Sequence, residues 1–189
     1  NEVVVGAVGR MVREKGYDEL FAAAARLRSE GSPARLVVIG PADPDKPDAV
    51  DQDAIDRAGA EGVRFLGLRH DVEELYATMD VYVLASHREG FPRSAMEAAA
   101  MGLPIVATDI RGCRQVVDHG RTGLLVPVGD ADALARAIAS LVDDRSTRQA
   151  MGRAGRLKAG QEFDQQRQID ISLEVYDQLL RRPRVETSR

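Results

Sequence analysis

The 189-residue chain has no tryptophan, one cysteine and three histidines, and only 4% of its residues are aromatic. A single cysteine, Cys113, excludes an intrachain disulfide and fits a reducing compartment. It reads as a small buried residue of the core. His70, His87 and His119 lie scattered, without the paired spacing that a zinc site requires, so neither a metal nor a cofactor is expected. No apolar run approaches the roughly 20 residues that span a bilayer, and no secretory signal is read at the start. An excess of positive charge is missing as well: 26 Lys and Arg stand against 30 Asp and Glu, a net charge of −4. A dedicated nucleic-acid binder carries a basic face. The expectation is a soluble, cytoplasmic domain with no nucleic-acid partner. Internal repeats and low-complexity segments are lacking too. No methionine precedes the first strand, so a further domain upstream of residue 1 is expected.

What the chain has is alternation. Apolar residues make up 44% of it, enough for a substantial core without staples. Val3–Val8 reads as a buried strand. Tyr17, Leu20, Phe21, Ala24 and Leu27 then recur on one helical face. Further strands are expected at 36–39, 63–66, 81–84, 105–107 and 124–126. Helices are expected over 49–60, from an Asp71 cap to residue 78, and from an Asp130 cap with Leu134, Ile138, Leu141 and Val142 inward. A helical turn is expected near 113–117. The proline- and acid-rich segment 42–48 is a loop. Tyr17 and Tyr76 read as core-edge residues of their helices. Near-continuous apolar strands between helices imply a parallel sheet covered on both faces. Right-handed crossovers make that an α/β, doubly wound, Rossmann-like domain with its core at about 3–145. The stretch 146–182 is helical, with Ile169, Leu173, Tyr176 and Leu180 in one stripe. That stripe either packs on the domain's own surface or reaches towards a partner domain. Residues 181–189 read as a frayed end.

The segment 88–108 carries the chemistry. Glu89 and Glu97 bracket a Gly-Phe-Pro turn and the start of an alanine-rich helix, which stops at Gly102 before Pro104 leads into a strand. One acid thus stands on a loop and the other on the helix behind it, with free backbone amides between them. Such a site can grip an anion and read hydroxyl groups together. After the first strand, Gly6 and Gly9 have the wrong spacing for the G-x-G-x-x-G dinucleotide fingerprint. Arg10 and Lys15, one on each side of the strand-to-helix loop, suit a diphosphate instead. In a parallel sheet that loop and the Glu89 loop emerge at the same edge. Two carboxylates also suggest glycosidase chemistry, yet neither glutamate sits in a visibly apolar setting. His87, two residues before Glu89, is placed at the rim of the cleft.

These motifs, Gly9-Arg10 with Lys15-Gly16, the E-x(7)-E pair Glu89/Glu97, the Gly-Leu-Pro-Ile-Val-Ala-Thr run that follows, and the stretch 120–127, carry a resemblance. Over about residues 3 to 180 the chain resembles the C-terminal, donor-binding domain of a family-4 retaining glycosyltransferase of the GT-B fold, group 1 of the glycosyl transferases. The resemblance implies that the whole chain, 1–189, is one nucleotide-sugar-binding domain whose acceptor-binding N-terminal domain lies elsewhere. It implies that Arg10 and Lys15 neutralise the donor diphosphate, that Glu89 contacts the transferred sugar and that Glu97 accepts from the ribose hydroxyls. Ser94 stands where a backbone amide meets the phosphate, flanked by Phe91 and Arg93. Gly9 lines the first loop, and the backbone of 66–69, around Leu68, recognises the base edge. The implied partners are a nucleotide-sugar donor, most simply a UDP-sugar and next GDP-mannose, and a saccharide or lipid-linked acceptor. Peripheral membrane association of the full-length protein is allowed. Pro92 departs from the family's usual glycine and has no amide to donate, and Gln115 stands where many relatives have glutamate. Two other readings stay open: a sugar-nucleotide epimerase of the same fold, and a non-catalytic α/β nucleotide-binding module.

Overall fold

The computed structural model describes residues 2–43 and 46–181. Six strands, β1 (Val3–Val8), β2 (Ala34–Ile39), β3 (Arg64–Phe65), β4 (Val81–Leu84), β5 (Ile105–Thr108) and β6 (Gly123–Val126), form one sheet in the order β3-β2-β1-β4-β5-β6. Every pairing is parallel. Helices alternate with the strands: α1 (Tyr17–Ser29), α2 (Gln52–Ala60), α3 (Val72–Ala77), α4 (Arg93–Ala100), α5 (Arg111–Val116) and α6 (Ala131–Asp143), followed by α7 (Arg145–Glu162) and α8 (Gln165–Leu180). This is the expected doubly wound, Rossmann-like α/β fold.

The two faces of the sheet explain why its strands are apolar throughout. Successive side chains of a strand point to opposite faces. Val81 and Val83 join the layer built with Leu20 and Phe21 of α1 and Leu134 and Ile138 of α6. Tyr82 and Leu84 join the other, with Tyr76 of α3 and Ala95 and Ala98 of α4. On β5, Val106 goes to the first layer and Ile105 and Ala107 to the second. Because β1 pairs with β2 on one side and β4 on the other, the connections diverge there, and the loops after β1 and β4 face each other at one sheet edge.

Several expected boundaries move. The helix expected from residue 49 starts at Gln52, because Ala49 bridges Val12, the Val50 N–H donates to the Met11 carbonyl, and the Asp51 carboxylate caps by accepting from the Asp53 N–H. The strand expected over 63–66 shrinks to two residues, since the Val63 N–H goes to the Ala58 carbonyl at the end of α2. Asp71 precedes α3 but makes no side-chain cap. Its carboxylate is taken by Arg69, 2.8 Å from Nε, which holds that carboxyl below the usual range. Asp130 does cap α6, accepting from the Ala133 N–H at 2.7 Å.

The C-terminal helices behave differently from each other. Helix α7 is fastened to the domain: Lys158 Nζ reaches Asp118 Oδ1, and Arg148 donates to the last carbonyls of α6 at Leu141 and Val142. Along α8 the stripe Ile169, Leu173, Tyr176 and Leu180 is exposed, together with Ile171 and Val175. Its packing on the domain's own surface is therefore not observed. No helix among the described residues is long and apolar enough to cross a membrane. The end expected to fray lies, from residue 182 on, outside the described residues.

Candidate functional site

The site is assembled where the loops after β1 and β4 meet. Leaving β1, the Gly9 N–H donates to the Ile39 carbonyl at 2.9 Å, and the Gly9 carbonyl accepts from the buried Tyr17 hydroxyl at 2.8 Å. The chain then makes a single 3-10 turn, Arg13–Lys15, and passes through Gly16 into α1. Gly16 adopts φ +70°, and a Cβ there would lie 2.0 Å from the Ala85 carbonyl oxygen just past β4. Only glycine lets the two loops come this close. The His87 N–H donates to the Glu14 carbonyl at 2.8 Å, so the loops are also joined by a backbone hydrogen bond.

Lys15 and Glu89 are brought together by this closure. Lys15 Nζ lies 2.7 Å from Glu89 Oε1, although 74 residues separate them in the chain. Ser86 Oγ donates to the same oxygen at 2.7 Å. The glutamate side chain is only 12% exposed, and that of Lys15 25%. The Glu89 main chain is held by α5: at Gly112 a Cβ would lie 2.5 Å from the Glu89 carbonyl oxygen. His87 is exposed, with Nε2 2.8 Å from Glu19 Oε1.

The remaining expected residues lie on the loops after β1, β3 and β4 and on α4. Arg10 is exposed and, among the described residues, makes no side-chain hydrogen bond or ion pair. Arg93 and Ser94 open α4 behind Pro92, and no side chain caps that helix. Its first amides thus keep their hydrogen-bonding capacity and the positive end of the helix dipole. Glu97 is exposed one turn further on, with Oε2 3.1 Å from the Tyr76 hydroxyl. Phe91 is half exposed, and its ring meets Phe163, at the α7 end, edge-on at 5.7 Å. Leu68 is 66% exposed, on a loop tied to the one after β2 by the Gly40 N–H donating to the Gly67 carbonyl.

Sequence reasoning missed Ser86 and misjudged Tyr17 and Tyr76. Ser86 is fully buried at the end of β4; its only sequence signal was a hydroxyl three residues before Glu89. Both tyrosines are buried rather than at the core edge, and burial pushes both phenols well above their ordinary pKa. The Tyr17 hydroxyl donates to the Gly9 carbonyl, and that of Tyr76 lies within hydrogen-bond reach of Glu97 and the Ser94 carbonyl. Burial also pushes the Cys113 thiol up to about 11. Since the thiolate is the nucleophile, Cys113 is expected to resist iodoacetamide at pH 8 in the native protein and to react quickly in 8 M urea, on the order of full denaturation. Rapid alkylation of the native chain, followed by mass spectrometry, would contradict that burial. Among the described residues no group of three His, Cys, Asp or Glu side chains is placed to hold a metal ion.

A cation, a carboxylate and an uncapped helix start thus stand on the loops at the topological switch point of a doubly wound domain. The family profile of glycosyl transferases group 1 matches residues 1–158, and the chain belongs to that family. It is 33% identical over 164 residues to the capsular polysaccharide biosynthesis glycosyltransferase CapM of Staphylococcus aureus, covering 86% of this chain and 43% of the relative. Anabaena HepE, solved in complex with UDP, superposes with a TM-score of 0.82 at 29% identity, over 95% of this chain and 49% of that one. The C-terminal domain of a glycosyl transferase group 1 family protein from Francisella tularensis superposes with a TM-score of 0.74 at 27% identity, over 85% of this chain and 86% of that domain. The chain thus spans less than half of CapM and HepE, and its fold is the C-terminal half of the GT-B architecture.

Proposed function

We propose that this chain is the donor-binding domain of a retaining glycosyltransferase and that it holds a nucleotide-diphosphate sugar at the switch point between β1 and β4. The observation that carries the reading is the Lys15–Glu89 pair, a cation and an acid set side by side by two different loops. In this reading Lys15 and Arg10 meet the diphosphate, aided by the amides of Arg93 and Ser94 and by the close approach of the chain at Gly9. Negative charge grows on the diphosphate as the sugar leaves, so fixed cations there lower the barrier. Glu89 contacts the sugar, Glu97 accepts from the ribose hydroxyls, and the backbone around Leu68 meets the base. Cationic side chains take the part that a metal plays elsewhere.

The donor is read as a UDP-sugar first and GDP-mannose second. Pro92 has no N–H, so the sugar contact of that position passes to a neighbouring amide such as that of Arg93. A saccharide or lipid-linked acceptor would be held by a second domain, in the cytoplasm or at its membrane face. The exposed apolar stripe of α8 supports such a partner surface. The chain alone would then bind donor without transferring the sugar.

Calorimetric titration with UDP, GDP and ADP tests the site. One nucleotide is expected to bind, and Arg10→Ala and Glu97→Ala are each expected to weaken it about tenfold through loss of a charge-assisted hydrogen bond. Silence from all three nucleotides, or binding untouched by both substitutions, would sink the reading.

A further inference from the structure

Both acids of the site are met by hydroxyls that come from the core. Ser86 is 0% exposed and Tyr76 1% exposed, so neither can touch a ligand directly. We propose that they are the positioning residues of the two carboxylates, Ser86 aiming Glu89 at the sugar and Tyr76 aiming Glu97 at the ribose. This inference rests on the donor-site reading above.

Consider Glu89 first. A carboxylate on a loop can rotate about its last torsion, whose preference is broad. Here two donors converge on one oxygen: Ser86 Oγ and Lys15 Nζ each lie 2.7 Å from Oε1. With Oε1 occupied twice, the plane of the carboxylate is set, and Oε2 is the oxygen left to accept from a ligand hydroxyl. Ser86 is itself fixed, because its carbonyl accepts from the Thr108 hydroxyl at the end of β5. Gly112 packs against the Glu89 main chain. Backbone and side chain of Glu89 are therefore both referenced to the β4–β5 core rather than to the loop.

Glu97 is treated in the same way by a different element. The Tyr76 ring, on α3, packs 5.8 Å from the Tyr82 ring within the sheet layer. Its hydroxyl lies 3.1 Å from Glu97 Oε2 and 3.1 Å from the Ser94 carbonyl oxygen. A phenol has one proton to give, and it is shared between the carboxylate and the first turn of α4. One buried tyrosine thereby sets Glu97 relative to the helix start that carries the Ser94 amide. Glu97 Oε1 remains for the ribose.

The two hydroxyls serve different parts of the ligand, and this separates positioning from mere stability. The chain is titrated with UDP, with UDP-glucose as the sugar-bearing probe, and with inorganic pyrophosphate. Ser86→Ala is expected to weaken UDP-glucose about tenfold relative to UDP, the scale of one lost hydrogen bond to a charged group, while UDP binding stays within twofold. Ser86→Thr, which keeps the hydroxyl, is expected to restore the ratio. Tyr76→Phe is expected to weaken UDP and UDP-glucose by the same factor, about tenfold, and to leave pyrophosphate unchanged. If either substitution weakens all three ligands equally, in step with lost stability in urea, that hydroxyl is structural only and the inference fails. It fails equally if neither substitution changes any ratio. If the unaltered chain binds neither UDP nor UDP-glucose, the donor-site reading itself falls and takes the inference with it.

Discussion

Replacing Lys15 by alanine is expected to weaken UDP binding about a hundredfold, the scale of a lost charge-assisted hydrogen bond to phosphate in a half-enclosed site. Binding of uridine, which has no phosphate, is expected to be unchanged. The geometry makes this loss larger than that for the exposed Arg10. Lys15 is partly buried and already fixed on Glu89 at 2.7 Å, so it gives up little side-chain freedom when it meets the ligand. An ammonium has three N–H groups. It can therefore keep Glu89 and still donate to a further oxygen, which on the proposed donor reading would link the acid assigned to the sugar with the charge of the leaving group. Salt at 0.5 M, on the order of a Debye length of 4 Å, is expected to weaken UDP less than it would at an open surface site.

The same substitution tests the ion pair. Lys15→Ala leaves Glu89, 12% exposed, with Ser86 as its remaining donor. Unpaired charge at that burial is expected to lower stability by about 1–2 kcal/mol. Glu89→Ala in the Lys15→Ala background is expected to return part of that loss, because the uncompensated carboxylate is then gone. A double-mutant cycle in urea should give a coupling of about 1 kcal/mol. Uridine binding that falls along with UDP would mean instead that the site has collapsed, and would remove Lys15 from the diphosphate.

How much of this was legible in the sequence follows from how local each determinant is. The strands Val81–Leu84 and Ile105–Thr108 could be read almost to the residue, because a sheet buried on both faces demands an unbroken apolar run. The strand β3 could not, since it lies at the sheet edge and its expected first residue, Val63, hydrogen-bonds to α2 instead. The Asp71 cap failed for a reason invisible at the level of helix signals: Arg69, two residues away, outcompetes the helix amides for its carboxylate. In the site, the acids and cations announced themselves by spacing around turns. Their mutual arrangement did not, because Lys15 and Glu89 are 74 residues apart and Tyr76 and Glu97 21 apart. The sheet order, with β1 beside β4, makes Lys15 and Glu89 neighbours, and the packing of α3 and α4 in one layer does so for Tyr76 and Glu97. Buried hydroxyls are the hardest to read this way, since a tyrosine at helical spacing and a serine after a strand look like core and turn.

The closure of the two loops rests on one position, and Gly16→Ala is expected to be the most damaging single-atom addition in the site. Gly16 sits at φ +70° and ψ 32° between the 3-10 turn and α1. Alanine at such a conformation costs about 1 kcal/mol from local sterics alone. The added carbon would also stand 2.0 Å from the Ala85 carbonyl oxygen and 2.7 Å from its carbon. Those are main-chain atoms at the end of β4, and they can yield only if the β1 loop moves away from the sheet. Moving it separates Lys15 from Glu89 and Glu14 from the His87 N–H. The total loss is expected to be about 3 kcal/mol or more in urea unfolding, the range of backbone strain with a buried clash added. UDP binding should disappear even in the fraction that remains folded. Gly31→Ala is the matched control: φ is +73°, yet nothing lies within 4 Å of the added carbon. It bears the conformational term alone, about 1 kcal/mol, and should leave UDP binding intact. Equal losses of stability and equal UDP affinities in the two variants would show that backbone conformation, not the contact of the β1 and β4 loops, is what Gly16 supplies.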